Sequence, residues 1–194
     1  HLTLDVVAVM DDLGEQSGTL VGHDWGGIIA WSFAEAYPQK TENLVIFNRP
    51  HPRSRKREMA LNNEQKERSA YIARFTNSDG DLGGMDAERR AGSHRGTVWY
   101  ERYLSAYQRS DYEAMLNYYR AYYPKPPWMV DESPIVPLDV PVLEFHGLDD
   151  GAYVNESLND TWESMGRDFT LVTLPGIGHN SQNTGDIQFV TTML

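Results

Sequence analysis

Asp24, Asp150 and His179 are the residues whose types and chain order could do chemistry. Asp24 sits at the centre of Gly22-His23-Asp24-Trp25-Gly26-Gly27, between the apolar run Thr19-Leu20-Val21 and an apolar stretch of helical potential over residues 28–37. An acid flanked by small residues, between a strand and a helix, predicts a sharp turn that presents its central side chain. The glycines remove the Cβ clashes that would forbid such a turn. A carboxylate at the apex needs no base to act as a nucleophile, and on attacking carbon it becomes an ester. The same residues also fit an ordinary strand-to-helix turn in which Asp24 caps the helix.

Gly147-Leu148-Asp149-Asp150 follows one apolar run, residues 140–145, and Gly178-His179 follows another, residues 169–174. The spacing of 29 residues from Asp150 to His179 leaves room for one helix and one strand. Nucleophile, acid and histidine in that order, each in a loop after a strand, would make His179 a general base oriented by a carboxylate. Asp150 is preferred to Asp149 for that role. Taken separately, the aspartate pair also fits an Asp-rich turn and His179 a surface loop.

Parallel strands joined through helices are needed to bring such loops together. Strands are expected at Thr19, Leu44, Val142 and Phe169, with right-handed crossovers between parallel neighbours. An amphipathic helix precedes them, carrying Leu2, Val6, Val9, Met10 and Leu13 on one face. Between residues 53 and 137 the alternation disappears, and helices are expected over 58–75, 98–110 and 112–123. A further helix is expected over 155–165, and Asp186 opens a last one. The acidic stretch 77–84 is a loop. It lacks a calcium-loop glutamate, because Arg90 stands twelfth from Asp79.

Composition narrows the classes. With 17 basic and 28 acidic residues the net charge is −11, which disfavours nucleic-acid binding. The one basic run, Arg53-Ser54-Arg55-Lys56-Arg57, is read as a solvated helix start in preference to a phosphate or partner site. The absence of cysteine excludes disulfides and thiol nucleophiles. No apolar run approaches membrane-spanning length, so a soluble protein is expected, cytoplasmic by default.

On the Gly-His-Asp-Trp-Gly-Gly turn and the order Asp24, Asp150, His179, the chain resembles the α/β-hydrolase superfamily and within it the epoxide hydrolases. The resemblance implies an α/β fold: the C-terminal part of a doubly wound sheet with an inserted helical cap. Core segments would be 1–52 and 138–194, with the cap at 53–137. It also implies two cap tyrosines that hold and protonate the epoxide oxygen. Their contexts match Tyr71 in Tyr71-Ile72-Ala73-Arg74-Phe75 and Tyr119 before Arg120. The Trp25 backbone would supply one oxyanion donor and its side chain would line the pocket.

The implied reaction converts an epoxide and water to a vicinal diol through an ester on Asp24, with no metal or cofactor. Neither a nucleic-acid nor a membrane partner is implied. A haloalkane dehalogenase shares the Asp-Trp pair, and a non-catalytic binding module of the same fold is the alternative from another class. The family's N-terminal strands and His-Gly-x-Pro loop are not in this sequence, so an internal piece of a longer protein is expected. Such a piece should be aggregation-prone and inactive alone.

Overall fold

The computed structural model describes residues 2–76 and 86–183. Residue contacts divide the chain into two compact units, His1–Arg68 with Trp128–Leu194, and Ser69–Pro127. The first unit is built on four parallel strands that lie side by side in chain order: β1 (Gly18–His23), β2 (Thr41–Phe47), β3 (Val142–Gly147) and β4 (Phe169–Leu174). β2 and β3 are the two inner strands of the four, and their residues Leu44–Phe47, Val142 and Phe145 are buried, as in strands covered on both faces. Their period of two sends Leu44, Ile46 and Val142 to one face, and Val45, Phe47 and Phe145 to the other.

Helix α1 (Leu2–Leu13) precedes β1, and α2 (Trp25–Ala36) crosses over from β1 to β2. Ala30, Trp31 and Ala34 of α2 close the first face of the sheet. Phe33, also on α2, is completely buried, and a side chain of that size stabilises by about 2–3 kcal/mol when removed from water. The apolar face of α1 is only partly covered: Met10 is buried, whereas Val9 and Leu13 are exposed. Among the described residues β1 pairs on one side only, with β2.

Two expected helices take a different form. The stretch 58–75 divides into α3 (Pro52–Leu61), α4 (Asn63–Arg68) and a later short helix. The break is at Asn62, which adopts an extended conformation and turns its Oδ1 to the backbone N–H groups of Glu64 at 2.9 Å and Gln65 at 3.3 Å. An asparagine that satisfies the orphan donors of the next helix starts that helix afresh. The stretch 155–165 is two 3-10 turns, Asn155–Leu158 and Thr161–Ser164, interrupted by Asp160 at φ 61°.

The arginine-rich run accounts for that interruption. Arg57 donates to the carbonyls of Glu156 at 2.7 Å and Asn159 at 3.2 Å, and to the Asp160 carboxylate at 2.9 Å. Arg55 is buried. Arg57 thus clamps the 156–160 loop through backbone carbonyls that a continuous helix would have satisfied itself, while the rest of the run opens α3, with Lys56 exposed and paired, like Arg53, with Asp131.

The second unit contains α5 (Ile72–Thr76), α6 (Ala87–Ala91), α7 (Tyr100–Gln108) and α8 (Tyr112–Tyr122). The last two match the helices expected over 98–110 and 112–123. Asp111 caps α8 by accepting from the Ala114 N–H at 3.0 Å. Among its described residues Ile72, Ala91 and Leu116 are the buried apolar ones. The acidic loop at 77–84 and the helix expected from Asp186 lie outside the described residues.

Candidate active site

Asp24 stands between the end of β1 and the start of α2 with φ 49° and ψ −113°, a conformation non-glycine residues rarely adopt. Holding such a residue costs on the order of 1–3 kcal/mol, so its surroundings must fix it. The Asp24 N–H donates to the Phe47 carbonyl at 3.4 Å, and the Ile28 N–H to the Asp24 carbonyl at 3.0 Å. Glycine at position 22 is required by contact: a Cβ there would lie 2.5 Å from the Gly26 carbonyl oxygen and 2.8 Å from the Gly27 Cα. The Asp24 carboxylate occupies the helix-cap position but makes no capping hydrogen bond.

It faces His179 instead. His179 Nε2 is 3.4 Å from Asp24 Oδ1, and His179 Nδ1 is 2.9 Å from Asp150 Oδ2. Of the adjacent aspartates, Asp150 is buried against the imidazole while Asp149 is exposed. Asp150 follows β3 and His179 follows β4, at the C-terminal edge of a parallel sheet where its loops converge. Asp150 is fixed by the Asn48 side-chain amide at 2.8 Å and the backbone N–H of Ala152 at 2.7 Å. His23 Nε2 donates to the His179 carbonyl at 2.9 Å. Gly147 admits the histidine loop, because a Cβ there would overlap the carbonyl oxygens of Ile177 and Gly178.

The electrostatics couple these groups. Burial works to raise the Asp24 carboxyl, but the His179 hydrogen bond, the Arg49 charge and the Trp25 backbone N–H outweigh it and hold the group at about 2. Burial works to lower His179, but the carboxylates of Asp150 and Asp24 prevail and raise it to about 9. At neutral pH the unliganded site is thus carboxylate, imidazolium, carboxylate.

Several side chains that shape this site carry no signal in the sequence reading. Asn48, directly after β2 at φ 44°, is one; its place at the C-terminal end of a predicted strand was the available clue. Tyr153 is buried with its hydroxyl 3.3 Å from Asp24 Oδ1, and Arg49, also buried, donates to the same hydroxyl. The loop carrying Tyr153 is pinned from α4. Gln65 bonds the Ala152 carbonyl at 2.9 Å and the Val154 N–H at 3.1 Å, and Arg68 donates to the carbonyls of Asp150 and Tyr153 at 2.5 and 2.7 Å. No periodicity announces such links between distant segments.

Trp25 opens α2 with its side chain partly buried. Tyr71 and Tyr119 belong to the second unit, where both rings pack on Phe75, at centroid distances of 5.5 and 5.0 Å. Among the described residues no three His, Cys, Asp or Glu side chains are grouped to hold a metal ion. No described helix is long and apolar enough to cross a membrane.

A parallel sheet crossed by helices, with a strained acid at the first strand-to-helix turn and a histidine after the last strand, defines an α/β hydrolase-type frame. The chain belongs to the α/β hydrolase fold family, whose family model matches residues 4–186. It is 27% identical over 196 residues to Epoxide hydrolase 1 of Caenorhabditis elegans, covering 92% of this chain and 47% of that protein. Among solved structures, an epoxide hydrolase from hot-environment metagenomes matches with a TM-score of 0.80 at 28% identity, over 98% of this chain and 71% of the other. The Bacillus megaterium epoxide hydrolase, solved with a naphthyloxy-propanediol product, matches with a TM-score of 0.80 at 25% identity, over 98% and 72%. The chain spans about half the length of the curated relative it matches over most of its residues.

Proposed function

We propose that the protein containing this chain is an epoxide hydrolase, converting an epoxide and water to a vicinal diol through an ester on Asp24. The observation that carries this reading is the contact of His179 with Asp24 on one side and Asp150 on the other. An aspartate in the nucleophile position makes an ester to carbon, and the relatives' names supply the substrate class. In this reading the four strands are the C-terminal part of a doubly wound sheet, and residues 53–137 are a helical cap.

In the first half-reaction, an Asp24 oxygen attacks an epoxide carbon and the carbon–oxygen bond breaks. The departing oxygen takes a proton from Tyr71 or Tyr119; a phenol with an ordinary pKa near 10 is acidic enough to protonate an alkoxide. Esterification removes the Asp24 charge, so His179 loses one of the two carboxylates that hold it protonated. It can then release its proton, which through solvent restores the tyrosine that protonated the epoxide oxygen, and act as the base its place requires. In the second half-reaction His179 removes a proton from water, the hydroxide adds to the ester carbonyl carbon, and the tetrahedral oxyanion collapses to the diol and the Asp24 carboxylate. The Trp25 N–H is the backbone donor for that oxyanion, and one such donor is worth about 3–4 kcal/mol in acyl-transfer sites.

The test is a side-by-side assay of terminal epoxides and bromoalkanes with the full-length protein. Diol formation without halide release is expected, and Tyr71→Phe combined with Tyr119→Phe should nearly abolish it. Halide release would establish the dehalogenase reading. Wild-type epoxide turnover by the double variant would remove the tyrosines from the mechanism. No covalent adduct with either substrate would leave a binding module of the same fold.

A further inference from the structure

We infer that Tyr153, backed by the buried guanidinium of Arg49, is a catalytic hydrogen-bond donor to the Asp24 carbonyl oxygen during hydrolysis of the ester. The inference rests on the epoxide-hydrolase reading and adds a side-chain oxyanion donor to it.

The Tyr153 hydroxyl lies 3.3 Å from Asp24 Oδ1 and accepts a hydrogen bond from Arg49 Nη1. The phenol therefore has its lone pair committed to a cation and its proton free for the carboxylate. Arg49 also lies 5.2 Å from the Tyr153 ring centroid, and Arg55 at 5.9 Å. Both Arg49 and Tyr153 are buried, at 9% and 5% exposure. Burial pushes the Tyr153 phenol up to about 12, so it remains a donor throughout the working pH range.

Arg49 is built into place. Its carbonyl accepts from the Trp31 indole N–H at 3.1 Å. Position 27 must be glycine beside it, since a Cβ there would come within 2.6 Å of the Arg49 Cβ. Among the described residues no carboxylate lies within ion-pair distance of Arg49, and its Nε has no hydrogen-bond partner. A buried cation without a direct counter-ion is costly, and negative charge reached through a hydrogen-bonded phenol lessens that cost. Here the charge reached through the phenol is Asp24.

The reaction moves that charge away and brings it back. Alkylation at Oδ2 turns Asp24 into a neutral ester with Oδ1 as its carbonyl oxygen, and Arg49 loses its compensating charge. When water adds to the carbonyl carbon, the π electrons pass to Oδ1, where Tyr153 donates. His179 holds the water's proton and gives it to the departing diol oxygen as the ester bond breaks; the proton of the added hydroxyl then passes to His179, which restores the Asp24 carboxylate and the imidazolium. The oxyanion at Oδ1 is thus stabilised more than the ester, which is the condition for accelerating this step and not the first.

The experiment separates the half-reactions in the full-length protein. Single-turnover mixing with a terminal epoxide, followed by rapid quench and intact-mass analysis, gives the rates of ester formation and ester loss. Tyr153→Phe and Arg49→Met should each slow ester loss by about tenfold or more, leaving ester formation within about twofold. Arg49→Lys, which keeps the charge, should recover part of the loss. The adduct should accumulate on the peptide containing Asp24. Ester loss at the wild-type rate in Tyr153→Phe overturns the inference, as does an equal slowing of both steps in all three variants, which indicates a structural role. A wild-type protein that forms no adduct and turns over no epoxide refutes the epoxide-hydrolase reading itself, and this inference with it.

Discussion

Replacing Asp24 by asparagine would remove the negative charge that the proposed ester would also remove, and His179 should register the change. In the unliganded protein the imidazole stands at about 9 against an ordinary 6.5. At about 1.4 kcal/mol per pKa unit, that gap corresponds to roughly 3 kcal/mol of preference for the imidazolium. Burial opposes it, so the two carboxylates together supply more than the net value. Asp150, at 2.9 Å, is the closer and better-bonded partner; Asp24, at 3.4 Å, is the looser one. Asp24→Asn should therefore bring His179 down by about one unit, into the range where a base works at neutral pH, and Asp150→Asn should lower it further. The assay is an NMR titration of the His179 ring. Because its folded pKa lies above the unfolded one, the associated stability is complete below pH 6.5 and is lost as pH rises through 9. The stability gap between wild type and Asp24→Asn in urea should accordingly be wide at pH 6 and narrow above pH 9. A wild-type His179 that titrates near 6.5, or one that stays near 9 in both variants, would mean that the two carboxylates do not set its protonation.

Two other perturbations address separate links. His179→Gln should leave the first half-reaction intact and block the second, so intact-mass spectrometry should find an adduct of one epoxide on the peptide containing Asp24; rapid multiple turnover by this variant would exclude His179 as the base. Gly147→Ala should push the Ile177–Gly178 backbone away from β3 and displace His179. A loss of about 1–3 kcal/mol in urea unfolding and a disproportionate loss of turnover are expected, whereas unchanged turnover would mean the loop shifts without consequence.

What could be read from the sequence was local. The strands at Thr19, Leu44, Val142 and Phe169 announce themselves by short apolar-rich runs, and the Asp24 turn by its flanking glycines, of which Gly22 and Gly27 leave no room for a Cβ. The proximity of Asp24, Asp150 and His179 followed from chain order in a parallel sheet, because loops after parallel strands share one edge. Of the two misread helices, 58–75 breaks at a local cap, Asn62, and 155–165 breaks where a distant side chain overrides local propensity. Residues 155–165 have helical composition, but Arg57 takes the carbonyls of Glu156 and Asn159, so the helix gives way to two short turns. Arg49 and Tyr153 are 104 positions apart and meet only in the folded chain. Neither a charge run nor an aromatic count reveals such a pair.

Glu144 shows what that buried neighbourhood costs the fold. It lies on β3, wholly buried, facing the same side of the sheet as Val142, and neither carboxyl oxygen has a hydrogen-bond partner among the described residues. Burial raises its carboxyl to about 8 from an ordinary 4.5, so the folded protein carries it neutral at pH 7. Two residues on, burial lowers His146 to about 4, which leaves that imidazole uncharged as well. The strand beneath Asp150 thus adds no charge to those of Asp24, Asp150, His179 and Arg49. Above pH 4.5 the unfolded chain ionises Glu144 and the folded chain does not, so this residue destabilises the fold increasingly up to about pH 8. At pH 7 the penalty is about 3 kcal/mol, and below pH 4.5 it vanishes. Glu144→Gln keeps the shape and removes the titration. Urea unfolding should find the variant more stable than wild type at pH 7 by an amount of that order, with the two converging near pH 4. An advantage that does not change between pH 4 and pH 7, or no advantage at all, would mean that Glu144 is ionised and paired in the folded protein.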